Sequence, residues 1–280
     1  CMPHVSLPQA TIEYSELGPV HSARPPVLFV PGAPVDARLW SSVAEHLAAQ
    51  GFRCILPNWP LGSHTLPVSD RAVLSPRNVA ELIHQFIVDL DLTDVTLVGS
   101  DTGGGLCQFL IDAHPERIGR LVLTNCDAFE VFPPFPFNAI FALMRWGTSV
   151  RALGSLMGVK ALRHSPAGYG LLITKPNPEL TASWLQPAST ESAIAGDFAA
   201  LAREIGKTDL TSTAPRLHGF SKPVTLVWGQ SDRCFTPELG RRLAAVFPDS
   251  ELVEIAGART FVSLDNPGAV VAAIEQITSR

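Results

Sequence analysis

From residue 27 onward, short apolar runs alternate with stretches in which apolar side chains recur every three or four positions. The runs at 27–30, 53–56, 95–98, 121–124, 224–228 and 252–255 are bounded by turn residues, a pattern that predicts strands buried on both faces in a parallel sheet. Residues 4–17 predict an antiparallel hairpin. Between the strands, Ser75-Pro76 supplies an N-cap with proline at the first helical position, and Val79, Leu82, Ile83, Phe86, Ile87 and Leu90 follow at helical spacing. Thr236-Pro237 and Asn266-Pro267 open two later helices by the same logic, the first of them ending before Pro248.

The alternation breaks once. Residues 129–215 contain no strand pattern; they carry helical stretches, several prolines and the cluster Phe129, Phe132, Phe135, Phe137 and Phe141. This segment reads as a helical cap inserted into an α/β core formed by residues 1–128 and 216–280. The phenylalanines fit packing between cap and core, and also fit one wall of an apolar pocket.

Composition narrows the function classes. In a chain of 280 residues with 46% hydrophobic and 17% charged residues, the net charge of −5 argues against nucleic-acid binding. No apolar run approaches the roughly 18 residues of a membrane span, and the first residues lack a signal pattern, so a cytoplasmic protein without membrane attachment is expected. Cys1, Cys54, Cys107, Cys126 and Cys234 are odd in number, and three sit in or beside apolar runs, which predicts free buried thiols. The histidines and cysteines show no metal-ligand spacing, so neither a metal nor a cofactor is expected.

The chemistry concentrates in Gly99-Ser100-Asp101-Thr102-Gly103, where a strand runs directly into a helix. A side chain presented at so sharp a turn forces its backbone into a strained conformation, and the positions two before and two after it must be very small. Centring the turn on Asp101 puts Gly99 and Gly103 there; centring it on Ser100 would put Val98 and Thr102 there and fail on sterics. Leu106, Phe109, Leu110 and Ala113 dock the following helix on the sheet, and its N-terminus directs partial positive charge at Asp101. The alternative, a phosphate-binding glycine turn, lacks the spacing of either common motif.

On these residues the chain resembles the α/β-hydrolase superfamily over nearly its whole length, and within it the aspartate-nucleophile branch of haloalkane dehalogenases and epoxide hydrolases. The resemblance implies an α/β-hydrolase fold: a mostly parallel eight-stranded sheet flanked by helices, with an inserted helical cap. Phe29-Val30-Pro31-Gly32-Ala33-Pro34 matches the family's oxyanion loop with Pro31 in place of histidine, so the N–H groups of Ala33 and Thr102 are the expected oxyanion hole. The strand and turn ending at Asp232 match those that carry the family's acid. Asp127 stands where other members place theirs, although a turn or capping role accounts for it as well.

The pattern fails at the base. The family's histidine follows the last strand; here the stretch is Ile255-Ala256-Gly257-Ala258-Arg259-Thr260-Phe261, with Thr260 at the histidine position. Neither Thr260 nor Arg259 takes a proton from water near neutral pH. His64, in a loop leaving a core strand toward the ligand-binding end of the sheet, is the candidate substitute, as base or as substrate partner, against the alternative of a locally satisfied loop histidine. His46, His84 and His114 read as surface residues, while His21, His164 and His218 stay open. Trp40, Trp146, Tyr169, Trp184 and Phe261 are candidate pocket residues. The family's halide-binding tryptophan and asparagine are replaced by Thr102 and Ala33, which disfavours dehalogenation. Three functions remain: a hydrolase-like enzyme acting on a small apolar electrophile (epoxide, ester or alkyl halide) through Asp101; a non-hydrolytic cyclase, isomerase or lyase using Asp101 as acid or base; or a ligand-binding member without turnover. A small-molecule substrate is the expected partner. Oligomeric state is not legible.

Overall fold

A computed structural model describes residues 2–280. The core elements are β1 (His4–Ser6), β2 (Thr11–Leu17), β3 (Val27–Val30), α1 (Ser41–Ala49), β4 (Cys54–Pro57), α2 (Pro76–Asp89), β5 (Val95–Asp101), α3 (Thr102–Ala113) and β6 (Ile118–Cys126). Then come α4 (Phe137–Leu143), α5 (Gly147–Leu156), α6 (Lys160–Arg163), α7 (Pro178–Thr190) and α8 (Ser192–Ile205). The core resumes with β7 (Val224–Gly229), α9 (Pro237–Ala244), β8 (Ser250–Ile255), α10 (Val262–Asp265) and α11 (Pro267–Thr278).

The eight strands form one sheet in the order β1-β2-β4-β3-β5-β6-β7-β8. β1 and β2 pair antiparallel, β2 joins β4 antiparallel, and every pairing from β4 to β8 is parallel. All residues of β3, β4, β5 and β7 are buried, as continuous apolar strands covered on both faces must be. The expected runs at 95–98 and 121–124 were cut short. Gly99, Ser100 and Asp101 continue β5 beside β6 with a one-residue shift of register, Gly99 pairing with Leu123 and Asp101 with Cys126, so residues that read as a turn still pair with the neighbouring strand.

Helix starts follow local chemistry. The Ser75 hydroxyl accepts from the Asn78 N–H at 3.2 Å ahead of Pro76, and Val79, Leu82, Ile83, Phe86 and Ile87 bury the inner face of α2. Each such side chain contributes about 1.5–3 kcal/mol by burial, which outweighs the few tenths at stake in helix propensity. Asn266 and Thr236 cap α11 and α9 in the same way.

The chain order sets the site. After β3 it moves to β4 on one side and then to β5 on the other, so the loops leaving β3 and β5 diverge and open a crevice at the strands' carboxyl ends. Helices α4 to α8, inserted between β6 and β7, lie over that crevice. They are joined to the core by polar contacts that the apolar pattern did not reveal. Asp197 of α8, fully buried, accepts from the Val68 N–H at 3.0 Å and Arg71 Nε at 2.7 Å, and faces His64 Nε2 at 3.4 Å. The Ser63 hydroxyl donates to the Trp184 carbonyl at 2.7 Å, Trp184 Nε1 donates to Asp36 Oδ1 at 3.1 Å, and the Tyr169 hydroxyl donates to the Pro34 carbonyl at 2.7 Å. No described helix is long and apolar enough to cross a membrane.

Burial alone would raise the Asp197 pKa, but the hydrogen bonds from His64, Arg71 and Val68 outweigh it and hold the carboxyl below its ordinary value. A depressed carboxyl stabilises the fold fully above the unfolded value near pH 4, and that stabilisation is lost as pH falls through the lower folded value. Asp197→Ala is expected to lower the unfolding free energy by roughly 2–4 kcal/mol in urea titrations at pH 7. The gap between wild type and Asp197→Asn should narrow below pH 4, and a gap independent of pH would refute this account of the joint.

Candidate active site

Asp101 is the last residue of β5 and immediately precedes α3, at φ 53° and ψ −131°. A non-glycine residue in this region is strained, and the strain is held in place by close packing on every side. A Cβ on Gly99 would stand 2.7 Å from Cys107 Sγ and 2.9 Å from Gly104 Cα. One on Gly103 would collide with the carbonyls of Val30 and Pro31, and one on Gly32 with the Asp101 carboxylate itself. The glycines therefore let the oxyanion-loop backbone approach α3 and let Asp101 swing over it. The Asp101 side chain does not cap α3, so its carboxylate is left for the crevice.

Electrostatics at this carboxylate are a contest. Burial raises its pKa to about 7; the backbone N–H groups of Thr102 and Ala33 oppose the rise, and neighbouring Asp232 adds to it. Asp127 follows β6 directly, and its N–H donates to the Asp101 carbonyl at 3.3 Å. Its side chain is fully buried, and neither carboxyl oxygen has a hydrogen-bond partner. Burial first and the adjacent Asp101 second push its pKa well above the ordinary carboxylate value. The turn or capping role is thereby replaced: Asp127 caps nothing.

A buried hydrogen-bond network surrounds Asp232. Asp232 Oδ2 accepts from the Thr260 hydroxyl at 2.7 Å and Asn125 Nδ2 at 2.9 Å, while Oδ1 accepts from the N–H groups of Cys234 at 2.8 Å and Phe235 at 3.2 Å. Burial raises its pKa to about 6 against these four donors. Thr260 and Asn125 thus converge on the same carboxyl oxygen of Asp232. Asn125 also clamps β6 to β7, donating to the Gly229 carbonyl at 3.1 Å and accepting its N–H at 2.6 Å. Sequence reading passed over it, because an asparagine at the end of an apolar strand looks like a turn signal.

Asp101 opens onto a narrow cavity of about 60 Å³, lined near the elbow by Ala33, Pro34 and Thr102 and farther out by Phe137, Phe141, Met144, Leu153, Met157, Tyr169 and Leu185. Arg163 is the cation on this wall, a residue that no motif marked. Its guanidinium donates to the carbonyls of Met157, Gly158 and Pro178 and to the Thr181 hydroxyl at 2.9–3.1 Å, so the charge is held by the end of α5.

The candidate pocket residues divide. Tyr169 lines the cavity, with its hydroxyl proton committed to Pro34. Trp184 and Phe261 stack edge-on behind it, at 5.3 Å between Tyr169 and Trp184 and 5.9 Å between Trp184 and Phe261. Trp40 is a core residue packed on Phe29, and Trp146 is 63% exposed. Of the phenylalanine cluster, Phe137 and Phe141 face the cavity, Phe132 packs on Phe109 and Phe135 is exposed. His64 is corrected most sharply. Its Nδ1 accepts from the Gly62 N–H at 3.3 Å and its Nε2 faces Asp197, so both ring nitrogens serve the joint to α8 and His64 does not line the cavity. Arg259 is turned away as well, donating to the Gly170 carbonyl.

Comparison with known proteins agrees with this architecture. The α/β hydrolase fold family model matches residues 25–267. Haloalkane dehalogenase 2 of Mycobacterium tuberculosis is 27% identical over 272 residues, covering 89% of this chain and 86% of the relative. Haloalkane dehalogenase 1 of Mycobacterium bovis is 29% identical over 160 residues, 56% of this chain and 53% of its own. Among solved structures, a putative ancestral haloalkane dehalogenase superposes with a TM-score of 0.78 at 20% identity over 100% of both chains. The enol-lactonase of Burkholderia xenovorans gives 0.77 at 18% identity over 99% of this chain and 100% of its own. With the family model spanning most of its length and the eight-stranded, mostly parallel sheet in place, the chain belongs to the α/β-hydrolase fold family.

Proposed function

We propose that this chain is an enzyme for a small, largely apolar carbon electrophile, attacked by the Asp101 carboxylate. One observation carries the reading: the carboxylate on the wall of the apolar cavity is the one held at the strained apex of the elbow, with two backbone N–H groups on it. In the step, an Asp101 oxygen bonds to the substrate carbon and a carbon–oxygen bond of an epoxide or ester breaks. The leaving oxygen keeps the electron pair and is protonated from solvent. The product is an ester on Asp101, or an anhydride where the carbon is acyl, and Ala33 and Thr102 stabilise the oxyanion formed when water attacks it.

Oxygen leaving groups suit the site better than halides. None of the five tryptophans lines the cavity: Trp59, Trp184 and Trp228 donate their indole N–H to Phe29, Asp36 and Phe235, Trp40 is in the core and Trp146 is exposed. Resolution of the ester needs a base to take the proton of the attacking water. The Thr260 hydroxyl is spent on Asp232 and His64 on the joint, so the covalent ester should accumulate. Incubation with terminal epoxides and activated esters, followed by peptide mass spectrometry, is expected to place the added mass on Asp101 and to leave Asp101→Asn unlabelled. Failure to label across such a panel would refute nucleophilic attack. Thr260→His, beside Asp232, should shorten the lifetime of the adduct by about 10²-fold or more; an unchanged lifetime would show that the missing base is not what limits turnover.

A second reading is favoured by one observation. A carboxyl at about 7, next to a second buried carboxyl at Asp127 whose pKa burial also raises, suits proton transfer within the cavity, as in an isomerase or lyase. Its premise can be tested separately. A raised carboxyl stabilises the fold fully below the unfolded value, and this is lost as pH rises through about 7. Asp101→Asn, which cannot titrate, should therefore gain on wild type by roughly 2–3 kcal/mol between pH 5 and pH 8 in urea unfolding. A difference that stays constant with pH would remove the basis for proton transfer.

A further inference from the structure

Away from the crevice, folding assembles a group of donors that the spacing of histidines along the sequence did not announce. Glu81 and His84 stand one turn apart on the same face of α2, and His114 meets them from the C-cap of α3. One donor atom from each of the three lies within 4.8 Å of the other two. The Glu81 Oε2 to His114 Nε2 distance is 2.6 Å, and the imidazoles of His84 and His114 face each other with centroids 3.8 Å apart and planes 10° from parallel. Glu116 Oε1 lies 3.9 Å from His114 Nδ1 and 4.0 Å from His84 Nδ1.

We propose that Glu81, His84 and His114 bind one late first-row divalent cation, of the Zn²⁺ type, on the outer face of the α2–α3 pair. Two imidazoles and one carboxylate form a nitrogen-rich set that suits Zn²⁺, Ni²⁺ or Cu²⁺ and disfavours Ca²⁺ and Mg²⁺, which take oxygen ligands. The two histidine side chains are 17% and 30% exposed, so an ion can reach them from solvent while the helices hold their backbones in place. Parallel rings cannot direct two in-plane lone pairs at one ion. Binding therefore requires the rings to splay about their side-chain bonds, closing donor separations of up to 4.8 Å toward the 3–3.5 Å or so of a tetrahedral shell. Bound, the ion ties α2 to the end of α3, the helix whose first residue follows Asp101. The site is independent of the reading of Asp101, and its test reads binding and unfolding, not turnover.

The experiment uses untagged, chelator-stripped protein titrated with ZnCl₂ by calorimetry and followed by thermal melting. The expected result is saturable binding of one ion per chain and a melting temperature that rises with Zn²⁺ and returns on adding EDTA. His84→Gln and His114→Gln should each weaken binding by at least about tenfold. His46→Gln, at an exposed position of α1, should leave binding unchanged. Both α2–α3 variants are surface substitutions, and their melting without zinc checks that they fold. Wild-type affinity in either variant, or no saturable one-to-one binding up to roughly 100 µM Zn²⁺, would overturn the proposal.

Discussion

The close approach of the backbone at Asp101 conditions most of what surrounds it. A residue at φ 53° between a strand and a helix is tolerated only if neighbouring segments leave no room for relaxation, and here they are the β3 exit loop, α3 itself and the end of β6. Gly32, Gly99, Gly103 and Gly104 each mark a place where one of these segments would strike another if it carried a methyl group. The same crowding excludes water from the carboxylate, and the two backbone N–H groups only partly replace the lost hydration. Geometric strain and the raised pKa thus have a common origin: the turn that presents the carboxylate also desolvates it.

Beside this apex, the hydrogen bonds of the buried Asp232 carboxyl are satisfied within the core. Asp232 has four donors, one of them the Thr260 hydroxyl. A threonine at this position does not leave a hole; it completes a buried network that an apolar residue would break, because a buried carboxyl deprived of a partner is costly. Asp127, by contrast, is buried with no hydrogen-bond partner on either carboxyl oxygen, and burial pushes its pKa well above the ordinary value. The two acids close to Asp101 therefore differ in surroundings, one ringed by donors and the other without them.

The strands and the elbow were legible in the sequence because each rests on local chemistry: continuous apolar runs, Ser-Pro and Thr-Pro starts, and glycines at fixed offsets from Asp101. The contact between Asp232 and Thr260 joins two short motifs that stood out in the sequence through the resemblance. What escaped was long-range. The engagement of His64 with Asp197, 133 residues away, depends on how α8 settles on the core, and no periodicity encodes that. Trp146 and Trp40 could not be sorted into surface and core without the packing of α5 and the sheet. The meeting of Glu81, His84 and His114 likewise needs the docking of α2 against α3. His84 and His114, read singly, have the look of ordinary surface residues.

The division of labour between core and insertion has an evolutionary side. Most of the cavity wall comes from one continuous stretch of chain, whereas the carboxylate, its paired N–H donors and the acid corner come from the ends of β3, β5, β6 and β7 and from the loop after β8. Ligand preference can therefore drift, or be transplanted as a cassette, while the reactive apparatus stays untouched. A graft would have to bring Asp197, Trp184 and Tyr169 with it, since these are the pins by which the removable part is seated.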